Sequence, residues 1–139
     1  MDRIPEASLS RNQRANVQRT ILVVEDEQLM LRLLEKYLSR QGYRVLVASD
    51  GEQAIEAYCR HKTEIDVVLL DVGLPKVKGM DVLFKMKDEN PGVRVVIASG
   101  YLEPDVKAEM YRAGVNDFVD KPYMLPVVLE KLRRLAKKR

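Results

Sequence analysis

The chain has 139 residues, 46% of them hydrophobic and 32% charged, a composition that fits one globular domain and excludes disorder, collagen and two full-sized domains. A single cysteine, Cys59, and a single histidine, His61, exclude an internal disulfide and a Cys/His zinc site; no apolar run reaches the ~18 residues of a membrane span and no signal peptide opens the chain, so a cytoplasmic location with no membrane contact is expected. The net charge of +3 sits at the ends: residues 20–129 hold 14 basic against 18 acidic groups, so the basic run Lys131 to Arg139 reads as the solvated, dipole-favoured end of a last helix rather than as a nucleic-acid contact.

In chain order, residues 1–19 show no apolar period and read as a flexible leader, with the domain proper over 20–139. Ile21–Val24 is the first expected strand, followed by a helix with an inward stripe of Met30, Leu33, Leu34, Tyr37 and Leu38 that ends near Gly42. Leu29 and Leu31 flank that stripe and are candidates for exposure and for docking a helical partner. Tyr43–Val47 is the second strand; Ala54, Ile55 and Tyr58 mark the second helix, where Cys59 is expected to pack and His61 to lie at a solvated helix end. Val67–Leu70, then Met80, Leu83, Phe84 and Met86, then Val93–Ile97 give a third strand, a third helix and a fourth strand. Val106, Met110 and Ala113 mark a fourth helix stopped by Gly114, Val115–Val119 a fifth strand, and Val128, Leu129, Leu132 and Leu135 a fifth helix with Pro126 in its first turn.

Strand starts recur every 22 to 26 residues with helical spacing between them, which is a repeated β-then-α unit. Unbroken apolar runs in the first, third and fourth strands require cover on both faces, as in a parallel sheet. The expectation is an α/β fold, a five-stranded, parallel, doubly wound sheet with five helices, whose chemistry belongs at the carboxyl ends of the strands.

Those ends are polar: Glu25-Asp26-Glu27, Asp71, Ser99-Gly100 and Asp120-Lys121-Pro122. Parallel strands would gather Glu25, Asp26, Asp71, Ser99 and Lys121 on one edge. Crowded carboxylates repel one another unless a hard cation such as Mg²⁺ and a lysine compensate them. Singly, each residue has a plainer reading: Asp71 as a turn residue, Glu27 and its neighbours as a helix cap, Phe118 as core. It is the joint pattern that points to a site.

In this order and setting, Ile21-Leu22-Val23-Val24-Glu25-Asp26-Glu27, Leu69-Leu70-Asp71-Val72-Gly73-Leu74-Pro75 with Gly79, Ala98-Ser99-Gly100 and Asp117-Phe118-Val119-Asp120-Lys121-Pro122 resemble the receiver domain of two-component response regulators, the family of the chemotaxis response regulator with its flavodoxin-like fold. The resemblance implies Asp71 as phosphoacceptor, Glu25 and Asp26 as the acidic pair around Mg²⁺ with the Gly73 carbonyl as a further ligand, Ser99 as the switch hydroxyl, Lys121 as the phosphate-binding lysine and Phe118 as the switch aromatic, where the family more often has tyrosine. It implies a phosphoacceptor that assists its own phosphorylation and dephosphorylation rather than a turnover enzyme. Tyr101 and Gly73 are expected to influence phosphoryl lifetime through water access. Implied partners are a histidine kinase or histidine phosphotransfer domain and a downstream protein on the fourth helix, fifth strand and fifth helix. The chain itself is expected to be a monomer or a phosphorylation-dependent homodimer.

The chain ends just after the fifth helix, which leads to the expectation of a stand-alone regulator acting through a partner; the alternative is the terminal receiver of a hybrid sensor kinase, acting as relay or phosphate sink. A small aspartyl phosphatase is more distant, since Gly73 stands where such an enzyme wants a second Asp. Neither G-x-x-x-x-G-K-[ST] nor G-x-G-x-x-G occurs, so no nucleotide cradle is expected.

Overall fold

The computed structural model describes residues 18–73 and 79–137. Five strands alternate with five helices: β1 (Thr20–Val24), α1 (Gln28–Arg40), β2 (Arg44–Ala48), α2 (Gly51–His61), β3 (Val67–Asp71), α3 (Gly79–Glu89), β4 (Val95–Ser99), α4 (Pro104–Arg112), β5 (Asp117–Asp120) and α5 (Leu125–Lys137). All pairings are parallel, in the order β2-β1-β3-β4-β5. The expected doubly wound sheet is therefore present, with its switch in strand order between β1 and β3.

The three unbroken apolar runs became the three central strands, and every residue of β1, β3 and β4 is buried. Alternate side chains supply two cores. Leu22, Val24, Val68, Leu70, Val95 and Ile97 meet Ala54 and Tyr58 of α2, Val82, Leu83 and Met86 of α3 and Met110 of α4. Ile21, Val23, Val67, Leu69, Val96 and Ala98 face the other way, against Leu31, Leu34 and Leu38 of α1 and Val128, Leu129 and Leu132 of α5. Gly42 (φ 97°) and Gly114 (φ 104°) end α1 and α4 in left-handed backbone that a side chain would strain. Asp50 caps α2, its Oδ1 accepting from the Gln53 N–H at 2.8 Å.

Several expectations need correction. Leu31, expected at the surface, is 6% exposed, while Leu33, expected inside, is 46% exposed. The inward face of α1 thus runs through positions 31, 34 and 38, and Leu29 is exposed as anticipated. Phe84 and Val106 are also exposed rather than buried, because α3 and α4 turn Leu83, Met86 and Met110 to the sheet. Cys59 is exposed, one position past the buried Tyr58. β4 and β5 begin two residues later than expected; Val93 and Val115 are buried but pack in the loops that enter the strands. Lys131 is not a freely solvated charge, since its Nζ donates to the Phe118 carbonyl and pairs with Asp117 at 3.4 Å, covering the backbone of an edge strand. The proposed leader falls mostly on residues 1–17, outside the described residues, as do Leu74 and Pro75 of the second motif and Lys138 and Arg139 of the basic run.

Gly79 opens α3 against the loop that follows Asp71: a Cβ there would stand 2.6 Å from Val72 Cα and 3.1 Å from Val72 Cβ. Since the obstacle is backbone, Gly79→Ala must push either the helix or that loop. Urea denaturation should show a loss of ~1–3 kcal/mol; unchanged stability would contradict the close approach.

Candidate functional site

The register of the sheet assembles the site. Val24 pairs with Leu70, so the next residues, Glu25 and Asp71, emerge side by side; Asp71 pairs with Ala98, and Ser99 pairs with Asp120, immediately before Lys121. Segments far apart in sequence therefore meet at one sheet edge, as the parallel topology requires. Two backbone bonds tie the loops after β3 and β5 to the end of β4, Val72 N–H to the Ala98 carbonyl at 3.2 Å and Lys121 N–H to the Ser99 carbonyl at 2.8 Å.

Glu25 is fully buried, Asp71 is 3% and Ser99 7% exposed, and Asp26 faces solvent. Lys121 Nζ lies 3.0 Å from Asp71 Oδ2 and 3.1 Å from Glu25 Oε1. The other Asp71 oxygen accepts from the Gly73 N–H at 2.9 Å. Glu25 is further held by the Tyr123 hydroxyl, 3.0 Å from Oε1, and by the Glu27 N–H, 3.2 Å from Oε2. Glu27 occupies the N-cap position of α1 with no side-chain bond, so its contribution is this backbone donor rather than a carboxylate cap.

The electrostatics follow from burial and crowding. Burial raises the Glu25 carboxyl above its ordinary value, and the charge of Asp71 adds to the rise, against lowering by the Glu27 N–H, Lys121 and Tyr123. Burial draws the Lys121 ammonium down, but the bonds and charges of Asp71 and Glu25 outweigh it and leave it raised. The Tyr123 phenol is pushed strongly upward by burial and then by the charge of Glu25, so it is a neutral donor.

One carboxylate oxygen from each of Glu25, Asp26 and Asp71 can be chosen so that all lie within 4.8 Å of one another. Among the described residues, three carboxylates against one ammonium leave an excess of about two negative charges, and the donors are all hard oxygens. That donor set suits a hard divalent cation such as Mg²⁺.

The structure thus brings together Glu25, Asp26, Asp71, Gly73, Ser99 and Lys121. Phe118 is set back from this group, on the α2–α3–α4 side of the sheet; its ring is 6% exposed, meets Tyr111 edge-on at 5.0 Å and lies under Lys107 Nζ at 5.4 Å. Sequence reasoning missed Tyr123. The signal was its place two residues after Lys121, which keeps it close to the same loop. A surface cavity of about 540 Å³, lined by Lys62, Asp66, Asn90 and Arg94 among others, opens at the opposite, amino-terminal edge of the sheet and contains none of these groups.

The family model of the response regulator receiver domain matches residues 21–133. The chain is 36% identical over 119 residues to the probable transcriptional regulatory protein TcrX of Mycobacterium tuberculosis, covering 86% of this chain and 50% of that protein. It spans about half the length of that relative, but nearly all of the chemotaxis protein CheY of Thermotoga maritima, with 28% identity over 84% of this chain and 97% of CheY. Among solved structures, a response regulator receiver domain protein from Clostridium thermocellum superposes with a TM-score of 0.79 at 27% identity, covering 85% of this chain and 94% of that one. Among the described residues no helix is long and apolar enough to cross a membrane.

The excess negative charge predicts that Mg²⁺ raises the thermal midpoint, by the equivalent of ~2.7 kcal/mol at a hundredfold excess over its dissociation constant. Asp26→Asn should raise stability without Mg²⁺ and shrink the response to it. A full response in that variant would place the ion elsewhere.

Proposed function

The chain belongs to the response regulator receiver domain family, and on that footing we propose that Asp71 is its phosphoacceptor, taking a phosphoryl group from a phosphohistidine of a histidine kinase or phosphotransfer protein. The observation that carries the assignment is the setting of Asp71: a buried carboxylate with one oxygen on the Gly73 N–H and the other on Lys121, beside two further carboxylates. A carboxylate oxygen forms the new bond to phosphorus as the phosphorus–nitrogen bond breaks, and the departing imidazole takes a proton from solvent. The nucleophile is already ionised, so no base is needed. Lys121 and the Ser99 hydroxyl donate to phosphoryl oxygens, while burial keeps the site pre-arranged. Glu25, Asp26, Asp71 and the Gly73 carbonyl are the groups assigned to Mg²⁺, which when bound supplies neutralisation of charge on the transferring phosphoryl. Hydrolysis of the acyl phosphate at the same groups accounts for loss of the signal, with Tyr101, 79% exposed and two residues past Ser99, assigned to control of water access.

The signal leaves through a protein partner. Among the described residues, five of the nine exposed large apolar side chains, Tyr101, Val106, Tyr111, Met124 and Val127, lie on α4, α5 and the loops leading to them, which supports that face as the docking surface. Phosphorylation adds ~1.5–2 negative charges and new acceptor oxygens, toward which Ser99 and Lys121 turn and draw the loops after β4 and β5 inward. Phe118 already lies inward, so the change falls on those loops and on Tyr111 and Lys107, which rest on its ring.

With Mg²⁺ and acetyl phosphate, intact mass should show one added phosphoryl on the wild type and none on Asp71→Asn; labelling of the variant would remove Asp71 from its role. Hydrogen exchange with beryllofluoride should change protection across residues 99–128, with little change in α2, and Ser99→Ala should shrink the difference. Binding of the mimic without any change there would leave Asp71 as a relay whose signal passes chemically to another histidine.

A further inference from the structure

We propose that Tyr123 is a positioning residue for phosphoryl transfer: its hydroxyl fixes the Glu25 carboxylate, so that Lys121 can release Glu25 and follow the phosphoryl oxygens. The inference rests on the assignment of Asp71 as acceptor.

Glu25 is completely inaccessible to solvent and depends on protein donors. Oε1 receives the Tyr123 hydroxyl at 3.0 Å and Lys121 Nζ at 3.1 Å; Oε2 receives the Glu27 N–H at 3.2 Å and Lys121 at 3.5 Å. Lys121 is therefore shared, since the same ammonium is 3.0 Å from Asp71. A phosphoryl group on Asp71 brings three new acceptor oxygens, and an ammonium that turns to them loosens its hold on Glu25. A buried carboxylate stripped of a donor opposes that movement. Tyr123 removes the opposition, because its donor is neutral and stays on Oε1 whichever way Lys121 points. Lys121 Nζ lies over its ring, 5.6 Å from the centroid, so ring and hydroxyl have separable tasks: the ring faces the ammonium and the hydroxyl alone reaches Glu25.

Tyr123→Phe deletes the hydroxyl and keeps the ring, and a thermal melt establishes that the variant is folded. Beryllofluoride affinity at saturating Mg²⁺, measured by nuclear magnetic resonance titration, should weaken about tenfold. The maximal rate constant of phosphorylation by acetyl phosphate should fall by a similar factor, with the half-saturating donor concentration unchanged. In a Glu25→Gln background, where no buried charge needs the hydroxyl, the same substitution should alter beryllofluoride affinity less than twofold. Wild-type affinity and rate in Tyr123→Phe would overturn the inference while leaving the acceptor assignment intact, and an equal loss in both backgrounds would overturn it in favour of ring packing. Failure of the wild type itself to bind beryllofluoride would overturn the acceptor assignment, and this inference with it.

Discussion

The ammonium of Lys121 stands 3.0 Å from Asp71 and 3.1 Å from Glu25, two carboxylates that the fold buries almost completely. Burying either carboxylate alone would be costly, and burying both side by side adds mutual repulsion. The arrangement is tolerable because the lysine, the Tyr123 hydroxyl and the N–H groups of Glu27 and Gly73 converge on the same oxygens. With solvent-facing Asp26 included, the cluster keeps, among the described residues, more negative charge than one cation balances. On the proposed reading, that imbalance is what lets the edge hold a divalent cation and then a phosphoryl group.

Much of the remaining structure serves to keep these groups in place. Three fully buried strands fix the register that sets Glu25 beside Asp71, and the pairing of β4 with the edge strand β5 sets Ser99 beside Lys121. Gly79 lets α3 start directly against Val72, and the backbone bonds from Val72 to Ala98 and from Lys121 to Ser99 fasten the loops after β3 and β5 to the end of β4. In the proposed switch, a change in what Lys121 holds passes to the loop after β5 and the end of β4, beside a face rich in exposed apolar side chains. The aromatic on β5 is buried between Tyr111 and Lys107, which ties α4 to the same strand.

The sheet was legible because its central strands are unbroken apolar runs, a pattern that only cover on both faces explains. The converging acidic groups and Lys121 were legible for a related reason: once strands are parallel, residues at their carboxyl ends must share an edge. The phase of α1 was not. Its first turns carry Leu29, Met30, Leu31, Leu33 and Leu34, and so many apolar neighbours cannot tell which is inward; only packing on Ile21 and Val23 selects Leu31 and Leu34 over Leu33. Phe84 misled similarly, standing next to the truly buried Leu83. Lys131 could not be read from charge patterning, because its partner is a backbone carbonyl of an edge strand, and Tyr123 could not, because its value lies in a hydroxyl reaching across to Glu25, 98 positions away.

The central claim is that this balance of charge makes Asp71 the carboxylate that accepts phosphorus. Borohydride reduction of the protein after reaction with acetyl phosphate and Mg²⁺ reads this directly, since an aspartyl phosphate is reduced to homoserine that peptide mass spectrometry can place. The account predicts homoserine at position 71 and at no other carboxylate. Reduction at Asp26 or Asp120, or phosphoryl label that resists borohydride and maps to a hydroxyl or to His61, would contradict it.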